Sequence, residues 1–330
     1  MWYKMRTYLL GIALALTVSA QAALLSSEAR VSLLSCAPGE ELYAKFGHTA
    51  LRIEDPENAL DVVFNYGIFD FNTDHFYWKF VRGETWYELG AAPYHWFIHE
   101  YIVTHRPVYE QVLNLDSTQT AALWEALMRN YEPQNRSYLY NFVFDNCATR
   151  PYQLIADAIG APIESEYTGW CGQTYRSFIR HYIGRFSWSN AGIQLLFGPK
   201  ADRVMSDQQR LFLPEELMAY MQQAHTADGA LLVLEGQIAP FEIEPTPWYA
   251  TWVVGLVLYF LLIAGISYYD RRRGQWSKWP EIVAAVPYGL LLIVVFFLTF
   301  FSCHPLVGFS WRLLIIPLTH LCARLIYIIR

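Results

Sequence analysis

At 330 residues the chain is long enough for two domains, and with 54% hydrophobic and only 16% charged residues it is too apolar for an ordinary soluble enzyme. A net charge of −6, with no basic stripe in the central part, argues against a nucleic-acid partner. Five cysteines, an odd number, cannot all pair.

The apolar excess lies at the two ends. Lys4 and Arg6 precede the run YLLGIALALTVSA and the small residues Ala20, Gln21 and Ala22. A basic region, a short apolar run and an A-x-A-like site predict a secretory signal peptide over 1–22; the run is short for an uncleaved membrane anchor. Residues 23–247 then form an exported domain.

RVSLLSC (30–36), HTALRIE (48–54) and LDVVFNYG (60–67) alternate as strands, with a turn over Asp55, Pro56, Glu57 and Asn58. An aromatic-rich segment, 69–88, follows. PYHWFIHEYIVTH (93–105) reads as a helix and PVYEQVLNL (107–115) as a strand. Asp116 or Ser117 caps a helix to Asn130, with Leu123, Trp124, Leu127 and Met128 on its apolar face. Helical spacing resumes after Cys147. Residues 161–215 read as loops and short helices, 212–225 as a helix and ALLVLEGQI as a last strand. Strands clustered before and around one central helix predict an α+β domain.

The C-terminal part is of another kind. WYATWVVGLVLYFLLIAGISYY (248–269) is long enough to span a bilayer and carries aromatic anchors at both ends. Arg271, Arg272, Arg273 and Lys278 follow it, which predicts a cytoplasmic loop. Residues 282–301 return, and 311–329 form a third, weaker span. The whole is an α-helical transmembrane domain over 248–330 with about three helices.

Chemistry concentrates at FVFDNCATRPYQLIADAIG (142–160). A thiolate is the nucleophilic form of cysteine, and the positive end of a helix dipole favours it, so Cys147 at a first helical turn is expected to have a lowered pKa. A thiol nucleophile needs a base, usually histidine, and a third polar group to orient it. Among nine histidines, His48 stands out because it opens a strand directly after Phe46 and Gly47. Asn65 on the next strand, with Asp70 behind it, is the candidate third member. Arg150, three residues after the thiol, is a candidate for a substrate phosphate, and Arg52 and Arg82 are others. His95 and His99 have the i, i+4 spacing of metal ligands, but no H-E-x-x-H pattern or cysteine cluster accompanies them, and no metal or cofactor is expected. His304 lies between the second and third spans. Cys36 and Cys171 are the other cysteines of the exported domain, and export permits them to pair.

Five motifs, CAPGEELYAKFGHTALRI, FNYGIFDF, KFVRGETWYELG, NFVFDNCATR and RLFLPEELM, stand in the order seen in the Lnb family of bacterial lipoprotein N-acyltransferases, which the chain resembles over about 23–325. That family joins an N-terminal periplasmic domain to a C-terminal transmembrane domain. The order of a histidine strand before a cysteine helix also resembles the permuted papain-like fold of the lecithin:retinol acyltransferase group. There a cysteine in an Asn-Cys pair attacks a phospholipid ester. The resemblance implies Cys147 and His48 as catalytic pair; Asn146, Arg150 and Tyr66 are candidate substrate-binding residues. That group often has a second histidine as third member, whereas this strand offers Asn65 and Tyr66. The resemblance further implies a bacterial inner-membrane protein with a periplasmic catalytic domain, a phospholipid acyl donor and a diacylated lipoprotein acceptor. The backbone N–H groups at the start of the Cys147 helix are the expected oxyanion donors. A papain-like peptidase or amidase acting on cell-wall peptides would use the same pair, and a non-catalytic lipid-binding module would need neither.

Overall fold

A computed structural model describes residues 25–310 and 313, apart from 227, 244, 275 and 276. The expected signal peptide (1–22) and third span (311–329) lie outside the described residues.

The strands in chain order are β1 (Arg30–Cys36), β2 (His48–Asp55), β3 (Leu60–Ile68), β4 (Trp86–Pro93), β5 (Val108–Leu113), β6 (Ser137–Leu139), β7 (Glu164–Ser165), β8 (Ala224–His225) and β9 (Val233–Glu235). The helices are α1 (Phe76–Arg82), α2 (Tyr94–Val103), α3 (Ser117–Tyr131), α4 (Thr149–Ile159), α5 (Tyr175–Ile183), α6 (Trp188–Leu196), α7 (Pro214–Gln222), α8 (Trp252–Arg273) and α9 (Trp279–Phe301). The residues form two compact units. One is built from the chain up to Tyr77, Glu84–Cys171 and Ser206–Glu242, the other from Trp78–Gly83, Gly172–Met205 and Ile243 onward.

The first unit is α+β. Seven strands pair antiparallel in the order β6-β4-β3-β2-β1-β5-β9, and β7 and β8 form a separate small ribbon. β1 lies centrally and is buried on both faces, which explains its nearly continuous apolar run. On one face Leu33, Leu51, Ile53 and Phe64 pack against Leu123, Leu127, Ile155 and Leu217, from α3, α4 and α7. On the other, Leu34, Ala50 and Val63 pack under Phe97 and Tyr101 of α2. Asp116 caps α3: its carboxylate accepts from Gln119 N at 2.8 Å, and Gln119 Oε1 accepts from Asp116 N at 3.1 Å. Gly160, at φ 66°, ends α4.

The second unit carries the two helices long and apolar enough to cross a membrane, α8 and α9. Its shorter elements are fastened to their ends. Trp252 N donates to Phe186 O at 3.2 Å, and the ring of Trp188 lies so close to Gly255 that a Cβ there would stand 2.2 Å from it. After α9, Gly198 N donates to Leu306 O at 3.0 Å and Gly308 N to Leu196 O at 3.1 Å, while Cys303 N donates to Arg82 O at 2.7 Å.

The expected Cys36–Cys171 pairing is not formed. Cys36 is a buried thiol beneath Tyr101 of α2, and Cys171 is an exposed thiol whose Sγ donates to Asp207 at 3.1 Å.

Candidate active site

The β2–β3 ladder runs from Asp55↔Leu60 to Leu51↔Phe64 and stops there. Beyond it His48, Thr49 and Ala50 pair only with β1, while Asn65 and Tyr66 pair only with β4 and a bulge falls at Gly67. A notch therefore opens between the two strands at one end of the sheet. Gly47, which turns the chain into β2 at φ 76°, has no room for a side chain, since a Cβ would lie 2.6 Å from Cys36 O.

Cys147 is presented to this notch. A Cβ placed on Gly67 would stand 3.8 Å from both Cys147 Cβ and His48 Cε1, so the bare glycine keeps the space between thiol and imidazole clear. On the far side of the imidazole, His48 Nε2 and Asn65 Oδ1 are 2.5 Å apart. An amide oxygen only accepts, so Nε2 carries the proton and Nδ1 keeps its lone pair. The structure thus joins His48 to Asn65 by a hydrogen bond and places Cys147 and His48 on either side of Gly67. Asp70 is not behind Asn65; it caps an exposed turn, accepting from Asn72 N at 2.9 Å.

The electrostatics differ from expectation. Burial pushes the Cys147 thiol up to about 11, more than nearby backbone N–H groups lower it. Burial likewise lowers His48 to about 4, although the Asn65 bond opposes it. At neutral pH the pair is therefore a thiol beside a neutral imidazole, not a preformed ion pair. The reason lies in the chain geometry. Helix α4 begins at Thr149 with Ala148 in the capping position, so Cys147 precedes the helix and is only 9% exposed.

The start of α4 is closed by Asn146. Its Oδ1 accepts from Ala148 N and Thr149 N, both at 2.9 Å, and its Nδ2 donates to Phe142 O at 2.7 Å and Phe212 O at 2.8 Å. Several expectations meet these and neighbouring bonds. Asn146 is a fully satisfied internal stitch, with nothing left for substrate. The helix-start N–H groups are taken, and cannot hold an oxyanion. Arg150 bonds Asp145 through Nε and Nη2, at 2.5 and 2.8 Å, with its guanidinium 3.6 Å above the Tyr138 ring. Tyr66 is a core residue, 1% exposed, whose hydroxyl accepts from Asn130 at 2.7 Å. Arg52 is similarly held by Asp61, Glu54 and Glu110.

Two supports were not foreseen. Gly67 is one, and its only signal was a glycine ending a strand pattern. The other is the buried pair Arg210–Glu216, 3.1 Å apart with both side chains 2% exposed, which flanks the segment whose Phe212 carbonyl holds Asn146.

The chain matches the family model of the Lnb N-terminal periplasmic domain over residues 17–180 and that of the Lnb transmembrane domain over residues 244–330. It belongs to the Lnb family. No curated protein and no solved structure matches it. As an Lnb-family member it is a membrane protein with a periplasmic part, and membership is consistent with an enzyme that modifies lipoproteins.

Proposed function

We propose that this Lnb-family chain is a thiol-dependent lipoprotein N-acyltransferase of the bacterial inner membrane, with Cys147 as nucleophile, His48 as base and Asn65 as its orienting partner. The observation that carries the reading is the placement of Cys147 and His48 on either side of Gly67, with the imidazole bonded to Asn65. The ring's Nε2–H is committed to Asn65, so Nδ1 keeps the lone pair that would take the Cys147 proton.

The chemistry runs in two halves. His48 Nδ1 takes the thiol proton as Cys147 Sγ bonds to the acyl carbon of a phospholipid ester. The C–O bond to glycerol then breaks, and the leaving oxygen recovers the proton from His48. The amine of a lipoprotein's first cysteine next attacks the thioester, losing a proton to His48 as the C–S bond breaks. A pair that stays neutral at rest costs little to bury, and it forms charge only as the reaction proceeds.

Aromatic rings supply an apolar path for the acyl chain. Tyr87 and Tyr140, close enough to feel charge on Cys147, stack at 4.2 Å. Phe69 meets Tyr87 at 4.9 Å and Phe71 at 4.8 Å, and Phe71 is 51% exposed. Such a wall also keeps water from the thioester. Both substrates are lipid-anchored, so fixing the enzyme in the same membrane raises their effective concentration. This favours acyl transfer over a wall peptidase, which has no use for spans such as α8 and α9.

The test is mass spectrometry of the purified protein with phospholipid and no acceptor. One acyl chain should appear on the Cys147 peptide, be removed by hydroxylamine, and pass to an added diacylated lipopeptide. Cys147→Ala should carry none. Full acylation activity in Cys147→Ala, or cleavage of wall peptides without an acyl adduct, would sink the mechanism.

A further inference from the structure

We infer that helix α6 and the basic turns on either side of it form a surface that rests in the headgroup layer of the outer leaflet and takes anionic phospholipid as its partner. All of these residues belong to the unit that carries the spans, and none takes part in the chemistry assigned to Cys147.

Two sets of bonds fix where α6 lies. At its start, Trp252 N donates to Phe186 O at 3.2 Å and Trp252 Nε1 to Arg185 O at 3.3 Å, while the Trp188 ring leaves no room for a Cβ on Gly255. At its end, Gly308 N donates to Leu196 O at 3.1 Å and Gly198 N to Leu306 O at 3.0 Å. Trp252 opens α8 and Leu306 follows α9. Both fastenings are therefore to the span ends opposite Arg271, Arg272 and Arg273, the ends that those cations assign to the periplasmic side. With nine residues α6 is far too short to cross a bilayer. It stands at the outer surface. The exposed rings of Trp248 and Tyr249, directly before α8, mark the aromatic belt at that level. Gly255, against which Trp188 lies, is about one helical turn deeper.

The surface suits lipid. Helix α6, WSNAGIQLL, has no charged residue. Trp188, Gly192 and Leu195 recur at i, i+4 and i+7, and all three are exposed, so an uncharged stripe headed by an indole is left open. Trp188 is 58% exposed even though one edge of its ring lies against α8. An indole at this depth matches the boundary between headgroups and acyl chains. Charge selects the kind of lipid. Residues 172–205 hold Arg176, Arg180, Arg185, Lys200 and Arg203 against Asp202 alone, a net +4 in a chain whose total is −6. Arg176 is bound to Asp202 at 2.6 Å. That leaves four exposed cations with no carboxylate in the segment. Arg185 supplies one of the fastening carbonyls and Lys200 stands two residues beyond Gly198, so positive charge brackets α6 where lipid phosphates lie. An anionic phospholipid meets both needs, with phosphate for the cations and acyl carbon for Trp188 and Leu195. An acidic protein segment would satisfy the cations alone.

The test places a fluorophore on the stripe. A Cβ on Gly192 would meet nothing within 4 Å, so Gly192→Cys accepts a bimane label without displacing a neighbour. The full-length protein, with Cys171, Cys303 and Cys322 changed to serine, is reconstituted into phosphatidylcholine nanodiscs. These contain an equal fraction of phosphatidylglycerol or phosphatidylcholine bearing a nitroxide near the head of its acyl chain. Both nitroxide lipids should quench the bimane, the phosphatidylglycerol form about twofold or more strongly, while aqueous iodide should quench it little. Arg180→Gln, Arg185→Gln, Lys200→Gln and Arg203→Gln together should bring the two lipids level. High salt should do the same with the native charges in place, which keeps the comparison decisive if the fourfold variant fails to fold. Quenching by iodide and by neither lipid would put the stripe in water. Protection from all three quenchers would put protein over it, and equal quenching by the two lipids would remove the anionic preference. Each of these results overturns the assignment.

Discussion

A methyl group on Gly67 would place a carbon 3.8 Å from both Cys147 Cβ and His48 Cε1, on a backbone whose φ is 100°. That is ordinary contact distance, yet it fills the space through which the proton must pass. The backbone there strains any residue with a Cβ, at a cost of about 1–3 kcal/mol. Gly67→Ala should therefore lower acyl-enzyme formation at least about 100-fold while the protein still inserts, as read by mass spectrometry on the Cys147 peptide. Retained acylation would show that thiol and imidazole do not meet across this gap. The acid–base behaviour makes a second prediction. An unfolded chain protonates His48 near the ordinary 6.5, but the folded one resists until about 4. Unfolding thus takes up a proton in that window, and stability falls as pH drops from about 6.5 towards 4. His48→Ala should flatten that slope in chemical denaturation. Acylation, which needs the neutral ring, should hold to about pH 5 and decline as pH approaches 4; a decline centred near 6.5 would mean the ring is solvated.

At the scale of elements, the Cys147 loop is held by two devices in series. Asn146 ties Phe142 to Phe212 and closes the start of α4, and the Arg210–Glu216 pair fixes the segment that contains Phe212. Asn146→Ala removes four bonds and leaves buried groups unsatisfied, so a loss of about 3 kcal/mol is expected from thermal unfolding. Breaking the ion pair by Glu216→Gln should cost about 3–5 kcal/mol, and the double change Arg210→Met, Glu216→Leu should recover most of it, since an apolar pair leaves no stranded charge. Failure of the double variant to recover would mean the pair does more than fasten the segment. Neither device was legible in the sequence, because partners 66 residues apart, such as Asn146 and Phe212, leave no local pattern. What was legible was short-range. The period of two gave β1, β2 and β3 nearly to the residue, and the capping box gave the start of α3. Strand β4 was hidden in the aromatic segment 69–88, where residues chosen for surface and site obscure alternation. The pairing of His48 with Asn65 followed from adjacent strands; the acidity of Cys147 did not, because burial of its thiol depends on the whole fold.

At the scale of the molecule, hydropathy gave α8 and α9 with ends shifted by three or four residues from 248–269 and 282–301 at three of the four boundaries. The shift extends α8 through Arg271, Arg272 and Arg273, which occupy its last turn. Cations there suit both the helix dipole and a cytoplasmic surface. A reporter fused after Arg273 should accordingly be active only when it is one that works in the cytoplasm. A working periplasmic reporter at that point would invert the arrangement. Where the sequence suggested a boundary near 247, the units interleave: residues 172–205 group with the C-terminal helices, and 206–242 return to the sheet. Composition could not reveal this, because α5 and α6 are no more apolar than helices of a soluble domain.

That interleaving has a consequence for how the protein is made. Residues 172–205 leave the ribosome and cross the membrane before the segment they are fastened to, since Gly198 waits for Leu306 and Trp188 for Gly255. During export α5 and α6 stand without the bond from Trp252 N to Phe186 O and without Gly255 beside Trp188, until α8 has been laid into the bilayer. A chain cut at 247 would remain in that state for good. The assembly of this unit is therefore finished from its last segment backwards, so that its export and its insertion are coupled in folding.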